Sequence, residues 1–370
     1  MPHPYETLPE DRFWRSAVAD RDAMAITGLW KPKLRITRRS RIVTAGSCFA
    51  QHFAKALIAR RYRWQDHEPG PPHLTEAQRL DYHYGTFSFR TGNIYTPRML
   101  VQWLTWALTD IPVPTEVWER DGRFYDPFRP GVEPGGFLSP DELSASRKDT
   151  LAAIRSAVAG AHVFVFTMGL TEAWQHRTSG VEYAICPGTM AGNFDPAAHQ
   201  FVNHGFAALM TDMQGVLRLL EQANPRLSVL LTVSPVPLTA TASGQHVLLA
   251  TSHSKATLRA VASELTLTEG RVDYFPSYEI ITQPAYRGRF YAPNLRSVLP
   301  EGVDHVMQSF FQDQDAAFGL TEGAKRPARI VRPPAPAPAP QPAERELTEA
   351  EELRCEEEIL AAFAPVADQG

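Results

Sequence analysis

The stretch that decides the fold is Arg41-Ile42-Val43-Thr44-Ala45-Gly46-Ser47-Cys48-Phe49-Ala50. A β-branched apolar run meets a glycine, and apolar residues then recur at Phe49, Phe53, Leu57 and Ile58. A short extended run, a breaker and a spacing of three to four read as strand, sharp turn and helix. The turn sets a hydroxyl and a thiol side by side at the positive end of a helix dipole. Such a place lowers a nucleophile's pKa and offers backbone N–H groups to an anion. It is where an acyl-transfer enzyme would carry its attacking atom. Two plainer readings stay open beside it: Ser47 also suits a helix cap, and Cys48 a small buried hydrophobe.

Outward from that turn, the runs His162–Thr167, Ser228–Val233 and, more weakly, Arg271–Phe275 are almost continuously apolar. Strands without alternation suit a parallel sheet covered on both faces. Between them lie helical patterns over Asp141–Ala159, Asn203–Ala223 and Ser254–Leu265. Strand alternating with helix predicts right-handed crossovers and a three-layer α/β/α domain. Ligands bind such sheets beyond the carboxyl ends of the strands. The turns after Ala45, Thr167, Val233 and Phe275 are therefore expected to converge on one rim. Residues 65–140 break the rhythm with Pro, Gly, His and the tryptophans Trp103, Trp106 and Trp118. They read as a long insertion after the first helix, with a short helix near Arg98–Leu108, placed to shape specificity or simply to pack.

The chain has 370 residues, 44% of them hydrophobic, which is ample for one large core or two small ones. Its formal charge of -4 is uneven: residues 344–370 hold nine Asp/Glu and two Arg, leaving about +3 on residues 1–343. That is too mild for a nucleic-acid surface. Cys48, Cys186 and Cys355 are far apart, so neither a disulfide framework nor a zinc cluster is expected. No metal and no cofactor is expected either; no G-x-G-x-x-G follows a strand and no P-loop is present. The N-terminal residues show no h-region and no run reaches the roughly 20 apolar residues of a spanning helix, which predicts a cytoplasmic protein. The organisation expected is an N-terminal extension over 1–39, one domain over 40–315, a Pro/Ala-rich linker over 321–343 and an acidic helix over 344–370, with Thr348 and Glu351 spaced as a capping box. That helix is either a docking element, for its own domain or for a protein partner, or a solvated tail.

Taken in order, Gly46-Ser47-Cys48-Phe49-Ala50, Gly92–Pro97, Thr167–Trp174, Ser234-Pro235-Val236, Ser254-Lys255-Ala256 and Tyr274–Glu279 resemble the bacterial GSCFA-domain proteins, over roughly residues 40–312. These are distantly similar to the SGNH (GDSL-like) hydrolases. The resemblance implies a flavodoxin-like parallel sheet and an esterase or acyltransferase acting on an acylated carbohydrate or small polar substrate. Laying the hydrolases' Gly-Asp-Ser over Gly46-Ser47-Cys48 puts Cys48 at the nucleophile's position, with Ser47 as the alternative. Gly92 matches the oxyanion-hole glycine by order. The hydrolases' Asn is expected near Gly169-Leu170-Thr171-Glu172, where no Asn stands; Thr171 donates through its hydroxyl and Glu172 only when protonated. The hydrolases' Asp-x-x-His falls on Asn294-Leu295-Arg296-Ser297, so both members are missing. His305, on the final helix, is the candidate base, with His246, His253 and His52 as rivals. The alternative function is a non-catalytic binding or scaffold protein that keeps the fold and has lost the base.

Overall fold

The computed structural model describes residues 3–320 and 356–364. The expected Pro/Ala linker and the first part of the acidic helix lie outside the described residues. In chain order the elements begin with β1 (Ile42–Gly46), α1 (Phe49–Ala59), α2 (Glu76–Asp81), α3 (Pro97–Leu108), β2 (Trp118–Arg120), β3 (Arg123–Tyr125) and α4 (Pro140–Gly160). They continue with β4 (Val163–Met168), β5 (Glu172–His176), β6 (Glu182–Tyr183), β7 (His199–Asn203), α5 (Phe206–Ala223), β8 (Ser228–Val233), α6 (Val247–Thr268), β9 (Val272–Tyr274), α7 (Ser277–Thr282) and α8 (Pro300–Phe318).

Four strands form the central sheet in the order β1-β4-β8-β9, and every pair is parallel. Successive side chains of a strand point to opposite faces, and each face has its own core. Val43, Ala45, Phe164, Phe166, Val229 and Leu231 pack on one side with apolar residues of α3, α4, α5 and α6. Ile42, Val163, Val165 and Leu230 pack on the other with α1, α7 and α8. Right-handed crossovers that step in one direction along the sheet put α4, α5 and α6 on one face, and α1, α7 and α8 cover the other. The result is the expected three-layer α/β/α sandwich.

The outer edge of β1 is closed by a short parallel bridge between Ile42 and Trp64 and by cover beyond it. Arg63 accepts from the Ile42 amide, Ile42 accepts from Gln65, and the Ser88 hydroxyl receives the Thr44 amide at 2.9 Å. Covering an edge in this way blocks strand addition by another chain. The segment between α1 and α4 supplies core as well as cover: Trp103 and Phe128 are fully buried. An ion cluster ties it down, with Arg147 gripping both oxygens of Asp126 and Arg129 Nε 3.0 Å from Asp126 Oδ2.

Three differences from the expected elements matter for function. The helix expected from Asn203 starts at Phe206, because His199–Asn203 is a strand paired antiparallel with β5. The helix expected from Ser254 starts at Val247, capped by the His246 side chain, which accepts from the Leu248 amide. His253 therefore lies on α6 and not in a loop. The antiparallel sheet β6-β5-β7, unforeseen from the sequence, stands on the segment that leaves the carboxyl end of β4.

Candidate active site

Gly46 ends β1 at φ +135°, a conformation closed to side chains at acceptable cost. A Cβ there would stand 2.4 Å from the Thr167 carbonyl oxygen of β4. The glycine thus lets the two backbones touch where the chain turns into α1. Ser47 donates its amide to Thr167 O at 3.0 Å, so its N–H is committed to the sheet. The helix begins at Phe49 with Cys48 as the preceding residue, and no side chain caps it. Ser47 is therefore not the cap. Its side chain is buried, and Oγ has no hydrogen-bond partner among the described residues. Cys48 is also buried. In the first turn of α1, the Ala50 and Gln51 amides donate to Ser47 O and Cys48 O at 2.9 and 3.0 Å.

Two further segments lock onto this turn through the main chain. Ile94 donates to Gly46 O at 2.9 Å, and Gly169 and Leu170 both donate to Tyr95 O, at 2.8 and 3.0 Å. Gly92 lies two residues before Ile94 at φ +67°. A Cβ on Gly169 would come 3.0 Å from Ser47 Cβ, so this glycine leaves the serine its space. The structure thus brings together Gly46–Cys48, Gly92–Tyr95 and Thr167–Thr171, and the turns after Val233 and Phe275 join them through the Ser234 amide, which donates to Met168 O at 2.9 Å, and the Ser277 hydroxyl, which donates to Val233 O at 3.2 Å.

Thr171 and Glu172 follow directly. Thr171 is fully buried, and its hydroxyl donates to Asn203 Oδ1 at 2.7 Å while its amide donates to Ser254 Oγ at 3.0 Å. Asn203 comes from β7, directly opposite Glu172. No Asn stands at residues 169–172; the strand pairing supplies one from 32 residues downstream of Thr171. Lys255 is a second residue that spacing did not single out as chemical. It is buried on α6 and donates from Nζ to Gly169 O at 2.7 Å. Glu172 sits with both carboxylate oxygens within 2.9 Å of Thr241 Oγ1. Burial raises its pKa, opposed by that hydrogen bond and by the nearby charge of His253.

The histidines divide sharply. His305 is packed between aromatic rings, 5.3 Å from Phe290 and 5.6 Å from Tyr286, on the α8 side of the sheet. Both rings belong to the segment after α7. Its Nε2 has no hydrogen-bond partner among the described residues, and burial lowers its pKa. His52 packs edge-on to Phe49, and burial, helped by Lys55, pushes it down to about 3. A base that weak is poorly matched to neutral pH. His246 is occupied as a helix cap. At Asn294–Ser297 the chain makes a closed turn: Asn294 Oδ1 accepts from the Arg296 and Ser297 amides and its side-chain amide donates to Ser297 Oγ. One imidazole–carboxylate pair is buried near the rim, His204 Nε2 lying 3.0 Å from Glu182 Oε2. Thr96 donates to the other oxygen of Glu182.

Glu172 and Glu182 both line a cavity of about 520 Å³ that also borders Tyr95, Leu170, Trp174 and Cys186. Tyr95 and Leu170 are the residues bonded to each other across the rim beside Gly169. The cavity thus adjoins the turn through one layer of residues. Its wall is completed by Leu360, Ala361, Phe363 and Ala364, from the 3₁₀ turn Glu356–Phe363 and the residue after it. Burial pushes the Cys186 thiol up to about 11. Among the described residues no three His, Cys, Asp or Glu side chains are placed to hold a metal ion. No described helix is long and apolar enough to cross a membrane.

A four-stranded parallel sheet with helices on both faces, and a strand–turn–helix junction at its carboxyl rim, defines the class: an α/β protein of three layers. The chain belongs to the GSCFA family, whose sequence model matches residues 41–310. Comparison with curated proteins gives no match. Two solved structures are similar over 75% of this chain and 99% of their own. One is a carbohydrate esterase family 3 protein from Talaromyces cellulolyticus, at 8% identity and a TM-score of 0.33. The other is a mutant acetyl esterase with acetate ion, at 9% identity and a TM-score of 0.32.

Proposed function

We propose that this protein is an esterase or acyltransferase whose nucleophile is the Cys48 thiol. The observation that carries this reading is the commitment of the Ser47 amide to Thr167 O. An acyl-transfer nucleophile needs its own N–H, or a neighbour's, free to receive the developing oxyanion. Ser47 has spent its amide on the sheet, whereas Cys48 stands immediately before Phe49 at the positive end of the α1 dipole. A thiol also suits a site without Asp-x-x-His, because a lowered pKa suffices where a serine would need an adjacent base. The helix start favours the thiolate, and Lys255 stands at the same rim, donating to Gly169 O.

In the step proposed, Cys48 Sγ attacks the ester carbonyl carbon, the C–O bond breaks, and the alcohol leaves with a proton from solvent, which has taken up the one the thiol gave. Water, or an acceptor hydroxyl, then attacks the thioester and returns the thiol. Gly92 and the Asn203 side-chain amide, its oxygen held by Thr171, are the oxyanion donors in this reading. Glu172 receives a substrate hydroxyl at the cavity edge, which fits a small polar or carbohydrate alcohol. The alternative, a binding protein without chemistry, is favoured by one observation: Asn294–Ser297 is a self-satisfied turn where a catalytic pair would stand.

The experiment compares hydrolysis of short-chain aryl esters by wild type, Cys48→Ala, Ser47→Ala, Asn203→Ala and His305→Ala. Cys48→Ala is expected to abolish turnover, and Asn203→Ala to lower kcat on the order of 100-fold, the usual cost of one oxyanion donor. Ser47→Ala and His305→Ala are expected to keep acylation. A trapped acyl adduct on Cys48, read by mass spectrometry, identifies the atom. Equal activity in wild type and Cys48→Ala sinks the reading, and no turnover by any of them selects the binder.

A further inference from the structure

Arg35, Arg38 and Arg39 stand just before β1, and Arg60 and Arg61 just after α1. A strand and a returning helix separate the two groups in sequence. The fold closes that gap, and all five arginines border one pocket at the foot of the sheet. The Ile42 amide donates to Arg63 O, which ties the end of the second group to the start of β1. The rim turn lies at the other end of that five-residue strand, about 15 Å away. All five arginines are exposed, and among the described residues none of their guanidinium groups is held by an ion pair or a hydrogen bond. The one carboxylate among the described lining residues is Asp315, which leaves a surplus of four positive charges. Like charges gathered this closely repel each other.

The backbone holds the cluster together against that repulsion. Helix α1 ends in a paired closure, Arg61 N donating to Ile58 O and Tyr62 N to Leu57 O, both at 2.9 Å. In such a closure the left-handed residue is usually glycine. Here it is Arg61, at φ +60°, so a strained backbone carries a guanidinium where glycine would sit more easily. The other group rides on a tied turn. Ser40 N donates to Thr37 O, Thr37 N to Ser40 Oγ and Arg39 N to Thr37 Oγ1. Arg60 is steered by the Phe311 ring, 4.3 Å beneath it. Burial raises the pKa of Tyr62, and the charges of Arg38 and Arg60 both oppose it, so the two groups face one phenol. We propose that this pocket binds a compact oligophosphate, an anion with two or more phosphate groups in series. Guanidinium forks match phosphate oxygens two at a time. One terminal phosphate carries about −1.5 to −2 charge at pH 7, so a single group falls short of the surplus and two or three in series meet it. An acidic peptide spreads its charge along an extended chain, and a nucleic-acid strand asks for a basic groove that tracks its backbone.

Isothermal titration calorimetry of the full chain with sodium tripolyphosphate, at about 0.1 M salt, reads the site without reference to ester turnover. Saturable binding with a Kd below about 1 mM is expected. Arg61→Gly is expected to weaken it about tenfold while melting at the same temperature or higher, because glycine suits the left-handed position. The double variant Arg38→Gln, Arg39→Gln changes only exposed side chains of the turn and is expected to weaken binding further. Arg218→Gln removes one charge from an exposed position of α5, on the opposite face of the sheet from α1, and is expected to leave binding unchanged. No saturable binding, unchanged binding in both pocket variants, or equal weakening by Arg218→Gln overturns the proposal. Hexaglutamate or a short oligothymidylate binding as tightly as tripolyphosphate also overturns it, in favour of a peptide or a nucleic-acid strand. ATP shares the phosphate chemistry and separates its two sources. Tighter binding of ATP than of tripolyphosphate supports a nucleotide whose base meets the aromatic wall of Tyr62 and Phe318, and equal or weaker binding supports the inorganic chain.

Discussion

Replacing Gly46 with alanine should be far more damaging than its single methyl suggests. Two costs combine. A side chain at φ +135° is strained by roughly 1–3 kcal/mol wherever it occurs. Here the new Cβ would also stand 2.4 Å from Thr167 O and 2.7 Å from Thr167 N. Both are backbone atoms of the neighbouring strand, so no rotamer change relieves the clash. Opening β1 from β4 stretches the Ser47 N–Thr167 O bond and leaves a buried carbonyl under-satisfied, a further 1–3 kcal/mol or so. The expected total is about 2–6 kcal/mol. Gly244→Ala isolates the first cost, because Gly244 has φ +76° with nothing within 4 Å of its would-be Cβ; about 1 kcal/mol is expected there. Urea unfolding of the three proteins, followed by tryptophan fluorescence, gives both differences from the midpoints. If Gly46→Ala costs no more than Gly244→Ala, the close approach is not a constraint and the reasoning fails.

Two further outcomes are expected. Glu172 has its pKa raised by burial, so the folded state holds its proton above the ordinary glutamate value of 4.5. Stability should therefore fall as pH rises from 4.5 through the raised value, and Glu172→Gln should remove that part of the slope in a pH series of urea midpoints. Asp126 behaves oppositely: burial alone would raise its pKa, but Arg147 and Arg129 outweigh it and the carboxyl is held below its usual range. Its stabilisation is present above the unfolded value of about 4 and is lost only as pH falls through the depressed one. Asp126→Asn leaves two buried guanidiniums sharing one neutral amide, and a loss of about 3–5 kcal/mol is expected at neutral pH; a loss below about 1 kcal/mol refutes the ion cluster as an anchor.

The central sheet was legible because buried parallel strands advertise themselves as unbroken apolar runs. Val163–Met168 and Ser228–Val233 emerge almost as read, and only β9, three residues long, was faint. The start of α6 was hidden because Leu248 and Leu249 are 67% and 60% exposed, so the amphipathic spacing that marks a helix begins only further on. The β6-β5-β7 sheet was illegible for a different reason: its strands are short and partly polar, and their pairing is settled by tertiary contacts. Asn203 inherits that difficulty. Its relation to Thr171 exists only through the register that sets Glu172 opposite Asn203. The turn at Gly46–Cys48 could be read as a candidate site, whereas the difference between its hydroxyl and its thiol rests on one amide hydrogen bond that no spacing encodes.

The three segments of the rim are joined by bonds from Ser47 N, Ile94 N, Gly169 N and Leu170 N, all to carbonyl oxygens. Main-chain joints make no demand on side-chain identity beyond the glycines that allow close approach. The rim is therefore a chassis on which reactive groups can be exchanged singly. A side chain at Ser47 or Cys48 can change without breaking any of these four bonds. Gly46–Ala50 is therefore a mounting point whose hold does not depend on the groups fitted to it.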